Sequence, residues 1–194
     1  LHAAANAINA ELPSAATTRA LFAREMNDTT RLCSWSPFNQ YWNLQALGNA
    51  NLMQYALAST RLCWGTMLRL GKGCFWELYS PAWAQTMRDG DKAPTRPSYC
   101  HPWSSGVTHW LTEAHAGLRP LQPGFAQYVA TPYTAARNPS VAATIDTPHG
   151  ALRVAAAATD AEVRVRVSAA VAGRVGLRRV RDDGCVLLGW NASD

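Results

Sequence analysis

The sequence is poor in several features that would define a simple class of protein. Charged residues make up 16% of its 194 residues, and only two of the 18 lysine and arginine residues are lysine. No apolar run approaches the roughly 18 residues that cross a membrane, and no signal peptide is visible. Because the chain begins at Leu1 within a helical pattern, we interpret it as part of a longer protein. Secretion therefore stays open, and no membrane partner is expected.

The net charge of +5 does not indicate a nucleic-acid surface. Such a surface gathers basic residues on one face and adds aromatic rings that stack on bases. Here the C-terminal basic residues alternate with apolar ones, as on the solvent face of strands, at Arg164, Arg166, Arg174, Arg178 and Arg179. Seven of the eight tryptophans lie in the other part of the chain, before residue 120. We therefore expect no nucleic-acid partner.

The cysteines and histidines give no sign of a metal site. No Cys-x-x-Cys pair occurs among the five cysteines, Cys33, Cys63, Cys74, Cys100 and Cys185. An odd, widely spaced set disfavours zinc and cannot form a complete disulfide framework. Buried free thiols are the favoured interpretation, and a single bridge between Cys74 and Cys100 is the alternative. His109 and His115 do not share a helix face, so we expect neither a metal nor a cofactor.

Helical patterns fill the part of the chain before residue 120. Apolar residues recur at helical spacing over residues 37–47 and again over residues 51–70. Gly48-Asn49 predicts a short connection between them, and hence an antiparallel helical hairpin. Ser104 and Ser105 suit the start of a last helix. Paired helices of this kind fit an α/α toroid.

Short alternating runs follow the prolines near residue 120. They occupy residues 150–154, 162–167, 174–180 and 185–190, with turn residues at 148–150 and 182–184. Alternation of this kind predicts an antiparallel sheet with valines on one face and charged residues on the other. The two parts together predict an α+β protein of two domains, with helices in residues 1–120 and a small antiparallel β-sandwich in residues 121–194.

Two aromatic segments carry the chemistry. Glu77 lies between Trp76 and Tyr79 in Gly-Cys-Phe-Trp-Glu-Leu-Tyr-Ser-Pro, and His101 lies close to Trp103 in Tyr-Cys-His-Pro-Trp-Ser-Ser-Gly. A carboxylate framed by rings is typical of a sugar site, because ring faces stack on a pyranose while the acid contacts its hydroxyls or a water. Glycoside hydrolysis normally needs two carboxylates, and these segments supply one.

Each candidate residue also has a structural interpretation. Glu77 could bind nearby backbone N–H groups, and His101 could cap a helix or bind a buried carbonyl. Trp76 and Trp103 are large rings, which lie more often in a core than in a binding surface. From the residues alone, a sugar site and a packed core stay open as alternatives.

Five ordered motifs resemble one known family. They are the helical hairpin and residues 64–68 (Trp-Gly-Thr-Met-Leu), 73–77 (Gly-Cys-Phe-Trp-Glu), 101–106 (His-Pro-Trp-Ser-Ser-Gly) and 117–125 (Gly-Leu-Arg-Pro-Leu-Gln-Pro-Gly-Phe), and residues 36–38 (Ser-Pro-Phe) also resemble the start of a barrel helix. This order is similar to the C-terminal end of the α-L-rhamnosidases of glycoside hydrolase family 78. The match runs from about residue 36 to residue 129 and continues more loosely into the strands.

The resemblance implies both a fold and a set of roles. Family members have an (α/α)6 barrel followed by a β-sandwich, so residues 1–120 would hold the last hairpins of the barrel. They hydrolyse terminal α-linked L-rhamnose with inversion. By position in the motifs, Glu77 would be the general base and His101 a sugar contact, with Trp76 and Trp103 as further binding residues. The expected partner is a rhamnose-containing glycoside or polysaccharide.

The family's general acid lies in an earlier segment of the barrel that nothing here matches. The resemblance therefore implies half of a catalytic pair, the rest of the barrel being outside the chain. Two hypotheses follow: a rhamnosidase part that is inactive by itself, or a non-catalytic carbohydrate-binding or structural module.

Overall fold

Helices occupy the first half of the chain and strands the second. A computed structural model describes residues 2–25, 33, 36–70, 73–83, 97–180 and 186–192. It divides into two compact units, Leu1–His109 and Trp110–Asp194, which are described separately below. The mixture of helices and sheets confirms the α+β class. The domain division at residue 120 stays a prediction.

The first unit contains four α-helices before the site segments. They are α1 (His2–Asn9), α2 (Ala15–Glu25), α3 (Pro37–Asn49) and α4 (Met53–Arg69). α3 begins after Ser36 with a proline at its first position, where the missing N–H costs no hydrogen bond. The two helices predicted from periodicity are thus confirmed. Among the described helices, none is long and apolar enough to cross a membrane.

The connection between α3 and α4 lies later than predicted. Gly48 and Asn49 still belong to α3, and residues 50–52 make the turn. Asn51 takes a left-handed backbone conformation with φ 60°, which asparagine tolerates better than most residues. The Leu52 N–H then donates to the Leu47 carbonyl at 2.8 Å. Asn51 therefore ends the helix, and Gly48 is buried inside it.

The contact between α3 and α4 combines apolar and polar groups. Buried Gln40 donates to the Ser59 hydroxyl at 2.6 Å and accepts from the Asn43 amide at 3.0 Å. Around these bonds lie the buried side chains Leu44, Leu47, Met53, Ala56, Trp64 and Met67. Because buried polar groups are costly without partners, these bonds fix one register between the helices.

The cysteines form two disulfides. Cys33 is bonded to Cys63 in α4, with a Cα–Cα distance of 5.6 Å. Cys74 is bonded to Cys100, with a Cα–Cα distance of 4.9 Å. The favoured prediction of free thiols is wrong for these four residues, and the alternative bridge between Cys74 and Cys100 is present. An odd count did not exclude two bridges, because four of the five cysteines can still pair; the fifth, Cys185, lies outside the described residues.

The last helical segment begins earlier than predicted. A 3₁₀ turn runs over Pro102–Ser105, followed by α5 (Gly106–Trp110) and a π-helical turn at Leu111–His115. Pro102 starts the segment, so Ser104 and Ser105 lie inside its first turn and do not cap it. The Ser105 hydroxyl donates to the Pro102 carbonyl at 2.6 Å. The Ser104 hydroxyl binds outside the turn, at the Trp76 carbonyl.

The described residues of the second unit form seven strands in two sheets. They are β1 (Leu118–Pro120), β2 (Tyr128–Ala130), β3 (Ser140–Thr147), β4 (Gly150–Ala158), β5 (Val163–Ser168), β6 (Gly173–Val180) and β7 (Val186–Ala192). One sheet has the order β1-β2-β6-β7 and the other β3-β4-β5. All pairs are antiparallel except β2 with β6.

That parallel pair corrects the prediction of a wholly antiparallel sheet. Tyr128 lies opposite Gly173 across it. A Cβ on Gly173 would overlap the Tyr128 ring, so glycine is what lets the ring lie over β6. Burial raises the pKa of the Tyr128 hydroxyl. The predicted turn at residues 148–150 is present between β3 and β4, and the one at 182–184 lies outside the described residues.

Both sheets contribute to one apolar core. It consists of Ala116, Leu118, Tyr128, Ala130, Leu152 and Val154, with valines of β3 and β5 packed against it. In β5 the valines are partly buried, while Arg164 and Arg166 are exposed. The alternation predicted for this strand is therefore confirmed.

Candidate functional site

The two aromatic segments pair with each other through their backbones. The Glu77 N–H donates to the Ser98 carbonyl at 2.9 Å, and the His101 N–H donates to the Phe75 carbonyl at 2.8 Å. The Cys74–Cys100 disulfide joins the same two segments through the residues that directly precede Phe75 and His101. His101 therefore pairs with the residue two positions before Glu77. The candidate acid and the candidate imidazole lie on neighbouring, cross-linked segments.

The Glu77 carboxylate is half-buried and has a fixed neighbour. Its Oε2 accepts a hydrogen bond from the Ser98 N–H at 3.2 Å. This is the contact that the structural interpretation of Glu77 anticipated. A single bond of this kind occupies one oxygen and orients the group, which also suits a base whose second oxygen faces a water.

Trp76 points to the core side of this pair of segments. It is fully buried and makes edge contacts with Tyr79 at 5.8 Å and Tyr99 at 4.8 Å between ring centroids. Its indole Nε1 is buried with no hydrogen-bond partner among the described residues. Phe75 and Glu77 on either side are partly exposed. Trp76 thus has a packing role, and its assignment as a sugar contact stays a prediction.

Trp103 is the exposed ring of the site. It keeps 46% of its surface exposed. Its centroid lies 4.5 Å from that of the His101 ring, at an angle of 52°. On another side it stacks with Phe38 of α3 at 5.4 Å and 27°. The imidazole is therefore backed by an aromatic ring that α3 supports.

Ser104 holds these parts together, and the sequence did not predict this. Its hydroxyl donates to the Trp76 carbonyl at 2.7 Å. Its own carbonyl accepts from the Trp64 indole of α4 at 2.8 Å. The side chain is fully buried. One serine thus joins α4, the peptide before Glu77 and the turn that carries Trp103, and the nearby Trp-Ser-Ser motif was the available signal.

The candidate site combines acidic, imidazole and aromatic side chains. Among the residues that the structure describes, no group of three or more histidine, cysteine or acidic side chains could hold a metal ion. Other acids in the described part of the first unit are Glu11, after α1, and Glu25, at the end of α2. Neither lies on the two paired segments. The arrangement offers one oriented carboxylate, one imidazole and exposed rings.

Comparison with solved structures gives a consistent answer for the fold. The chain superposes on an α-L-rhamnosidase from Streptomyces avermitilis complexed with L-rhamnose, with a TM-score of 0.69 at 18% identity, over 98% of this chain and 20% of that one. The family 78 rhamnosidase of Bacillus sp. GL1 gives 0.72 at 19% identity, over 91% and 19%. An α-L-rhamnosidase from Aspergillus terreus gives 0.67 at 17% identity, over 99% and 23%.

These similarities define the class of fold. The chain has the fold of one part of a glycoside hydrolase. That part is shared with the α-L-rhamnosidases, so the resemblance found in the motifs is confirmed at the level of the fold. The chain spans about a fifth of the length of each solved structure. A scan of family models finds no match, and a comparison with curated proteins finds none.

Proposed function

We propose that the chain is part of an inverting α-L-rhamnosidase that releases terminal α-linked L-rhamnose from a glycoside or polysaccharide. The observation that carries this proposal is the pairing of the Glu77 and His101 segments within a fold shared with rhamnosidases. The motif order supports it independently, since the chain contains both motifs that the family uses at its sugar site.

Glu77 acts as the general base in this proposal. In an inverting reaction, one carboxylate removes a proton from water as that water attacks the anomeric carbon. Oε2 of Glu77 is held by the Ser98 N–H, which leaves Oε1 to take the proton. His101 donates or accepts a hydrogen bond at a sugar hydroxyl, and Trp103 covers an apolar face of the ring. Trp76 stabilises the peptide from the core side.

The general acid comes from outside the chain. An inverting pair stands roughly 6.5–9.5 Å apart, with the water and the sugar between the two carboxyl groups. Glu11 follows α1 and Glu25 ends α2, and neither has the tryptophan-containing context of the segment that carries the family's acid. We propose that residues 1–120 complete an (α/α)6 barrel with an earlier part of the protein, and that residues 121–194 form its β-sandwich.

The test substitutes Glu77→Gln in the polypeptide that joins this chain to the rest of the barrel. The amide still accepts from the Ser98 N–H but cannot remove a proton. We expect kcat/KM for p-nitrophenyl α-L-rhamnoside to fall by about 10²–10⁴. Glu11→Gln is the control, because that side chain is exposed and follows α1, outside the two paired segments. Undiminished hydrolysis by the Glu77 variant would exclude the assignment.

A non-catalytic carbohydrate-binding or structural module is the second candidate. It is favoured by the same Oε2 contact, which gives Glu77 a structural use. The two candidates differ in one result. If the chain is a non-catalytic module, hydrolysis by the longer polypeptide does not depend on Glu77. If the chain is part of the enzyme, hydrolysis is lost when Glu77 is substituted.

A further inference from the structure

Ser98 contacts the candidate base with its backbone and its own segment with its side chain. Its carbonyl accepts from the Glu77 N–H at 2.9 Å, and its N–H donates to Oε2 of Glu77 at 3.2 Å. Its hydroxyl donates to the Cys100 carbonyl at 3.1 Å and accepts from the Cys100 N–H at 3.4 Å. Cys100 directly precedes His101. One residue therefore links the carboxylate to the segment that carries the imidazole.

The two paired segments differ in length between the backbone bonds that join them. The first segment advances two positions from Phe75 to Glu77, whereas the second advances three from Ser98 to His101. One residue of the second segment is thus in excess, as in a β-bulge, where an extra residue bends the strand and redirects side chains. Cys100 lies within this stretch, and both of its backbone polar groups bind the Ser98 hydroxyl. The hydroxyl therefore holds the irregular part of the pairing in shape.

The backbone of Ser98 controls the direction of both bonds to Glu77. Each peptide unit is planar, so the N–H before the Ser98 Cα and the carbonyl after it turn with only two dihedral angles. A hydroxyl that binds the backbone of Cys100 restricts the conformation of residues 98–100. The side chain of Ser98 thus restrains the N–H and the carbonyl that the same residue presents to Glu77.

The Glu77 carboxylate needs such a neighbour to keep one orientation. The terminal torsion of a glutamate side chain has a broad, roughly two-fold distribution, so the torsion itself does not select which oxygen faces a water. The bond from the Ser98 N–H fixes Oε2, and the bond to the Ser98 carbonyl fixes the Glu77 backbone. Both the backbone and the carboxylate of Glu77 are therefore attached to one residue, and the placement of a reacting group strongly affects its rate.

Hydroxyl bonds of this type also occur without any relation to a site. Ser14, which is exposed like Ser98, accepts from the Thr17 N–H at 3.2 Å before α2. A bond of that kind caps a helix, and its loss lowers stability. Ser98 differs because the N–H of the same residue holds a carboxylate oxygen. Ser14 is consequently the reference for a serine hydroxyl that is only structural.

We propose that Ser98 is the positioning residue for Glu77. Its hydroxyl holds the turn at Cys100, and this keeps its N–H in the direction that aims the carboxylate at the attacking water. The proposal rests on the proposed function, which makes Glu77 the general base and gives Ser98 no role of its own. In this role the serine side chain acts only through Glu77 and contacts no reacting atom.

The first experiment follows the backbone amide proton of residue 98 in the isotope-labelled chain by NMR while the pH is varied. Its signal should move downfield as the Glu77 carboxyl ionises, because the N–H then donates to a charged acceptor. The movement should be absent in Glu77→Gln and smaller in Ser98→Ala, which loosens the N–H without removing it. Any effect of His101 is present in all three proteins. A signal that does not follow Glu77 in the unsubstituted chain would overturn the proposal.

The second experiment measures p-nitrophenyl α-L-rhamnoside hydrolysis by the polypeptide that joins this chain to the rest of the barrel. Ser98→Ala should lower kcat about two- to tenfold, the range expected for loss of one hydrogen bond. KM should change less than kcat, because the base acts on the water and not on the bound sugar. Ser98→Thr keeps the hydroxyl and should restore most of the rate. Ser14→Ala is the matched control, since it also removes an exposed hydroxyl that binds a local N–H, and it should leave kcat unchanged.

The outcomes separate this inference from the proposed function. If Glu77→Gln loses hydrolysis but Ser98→Ala behaves as Ser14→Ala does, the positioning role is overturned and the proposed function stands. If Ser98→Thr is as slow as Ser98→Ala, or if the loss lies in KM alone, the hydroxyl does not position the base and the inference fails. If Glu77→Gln leaves hydrolysis undiminished, the proposed function fails and the role of Ser98 in the reaction fails with it, even where the amide signal follows Glu77.

Discussion

Single residues hold the candidate site in shape through a few buried hydrogen bonds. The Ser104 hydroxyl satisfies the Trp76 carbonyl, and the Ser104 carbonyl satisfies the Trp64 indole. Both bonds are buried, where a polar group without a partner costs more than the bond itself contributes. The peptide that precedes Glu77 is therefore positioned by a residue with no catalytic chemistry of its own.

Ser104→Ala should lower the free energy of unfolding by about 1–3 kcal/mol, because the Trp76 carbonyl loses its buried donor. Urea denaturation followed by tryptophan fluorescence measures this. Ser105→Ala is the control, since the Ser105 hydroxyl is exposed and binds only the Pro102 carbonyl in its own turn. Equal effects of the two substitutions would show that the Trp76 contact is not important for stability.

The residues of the site were predictable as types but not as partners. The sequence showed a carboxylate and an imidazole among aromatic rings, because the chemistry of a side chain follows from its residue type. It did not show that the Ser98 N–H binds Glu77 or that Phe38 supports Trp103. Those contacts join positions far apart in the chain, and periodicity carries no information about them.

At the scale of elements, the paired segments depend on a covalent bridge. Cys74–Cys100 closes a separation of 26 residues between the Glu77 and His101 segments. A bridge over such a loop typically stabilises by about 2–4 kcal/mol, mainly by restricting the unfolded chain. Peptide mapping without reduction should find residues 74 and 100 linked, and residues 33 and 63 linked.

Cys74→Ser with Cys100→Ser should lower the melting temperature and weaken rhamnose binding, because the two site segments then keep only non-covalent contacts between them. The control is Cys33→Ser with Cys63→Ser, which removes the other bridge and leaves the paired segments linked. Calorimetry and a fluorescence titration measure the two effects. If both double variants weaken sugar binding equally, the Cys74–Cys100 bridge has no special part in the site.

The strands of the second unit depend on close backbone contacts. Gly117 precedes β1 with φ 72°, and its carbonyl accepts from the Thr131 N–H at 3.0 Å. A Cβ at this position would overlap the Thr131 carbonyl. Alternation in the sequence predicted β5 and the first half of β4 but missed β3. β1 and β2 are too short for a periodic pattern, and a parallel partner for β2 has no local signal.

Gly117→Ala should destabilise the chain more than Gly124→Ala, by at least about 1 kcal/mol. Both glycines have positive φ, so each substitution costs about 1–2 kcal/mol from the backbone alone. Only Gly117 adds the overlap, since a Cβ on Gly124 would meet the Pro148 side chain no closer than 3.4 Å. Urea denaturation followed by circular dichroism compares them, and equal losses would contradict this.

At the scale of the whole molecule, the proposed function gives the chain the base of a catalytic pair and places the acid elsewhere in a longer protein. It spans about a fifth of the rhamnosidases whose fold it shares. The α+β class and the rhamnosidase-like order of motifs were predictable, because they depend on composition and local pattern. The Cys33–Cys63 pair and the sheet order were not, because they depend on which distant segments meet.

The chain by itself should bind L-rhamnose weakly and hydrolyse p-nitrophenyl α-L-rhamnoside at least about 10²-fold more slowly than the polypeptide that also contains the rest of the barrel. The reason is that, in the proposed function, one member of the acid–base pair and much of the pocket wall come from outside the chain. Titration and initial rates on both proteins measure this. Equal rates would show that the chain contains its own acid.

The most direct measurement of the central claim is chemical rescue of Glu77→Ala in that longer polypeptide. Azide needs no base to remove a proton, and it fits the space that the carboxylate leaves. If Glu77 is the general base of an inverting reaction, azide should restore turnover of p-nitrophenyl α-L-rhamnoside and give β-L-rhamnosyl azide by NMR. A variant that stays inactive with azide, or that is fully active without it, would contradict the assignment of Glu77.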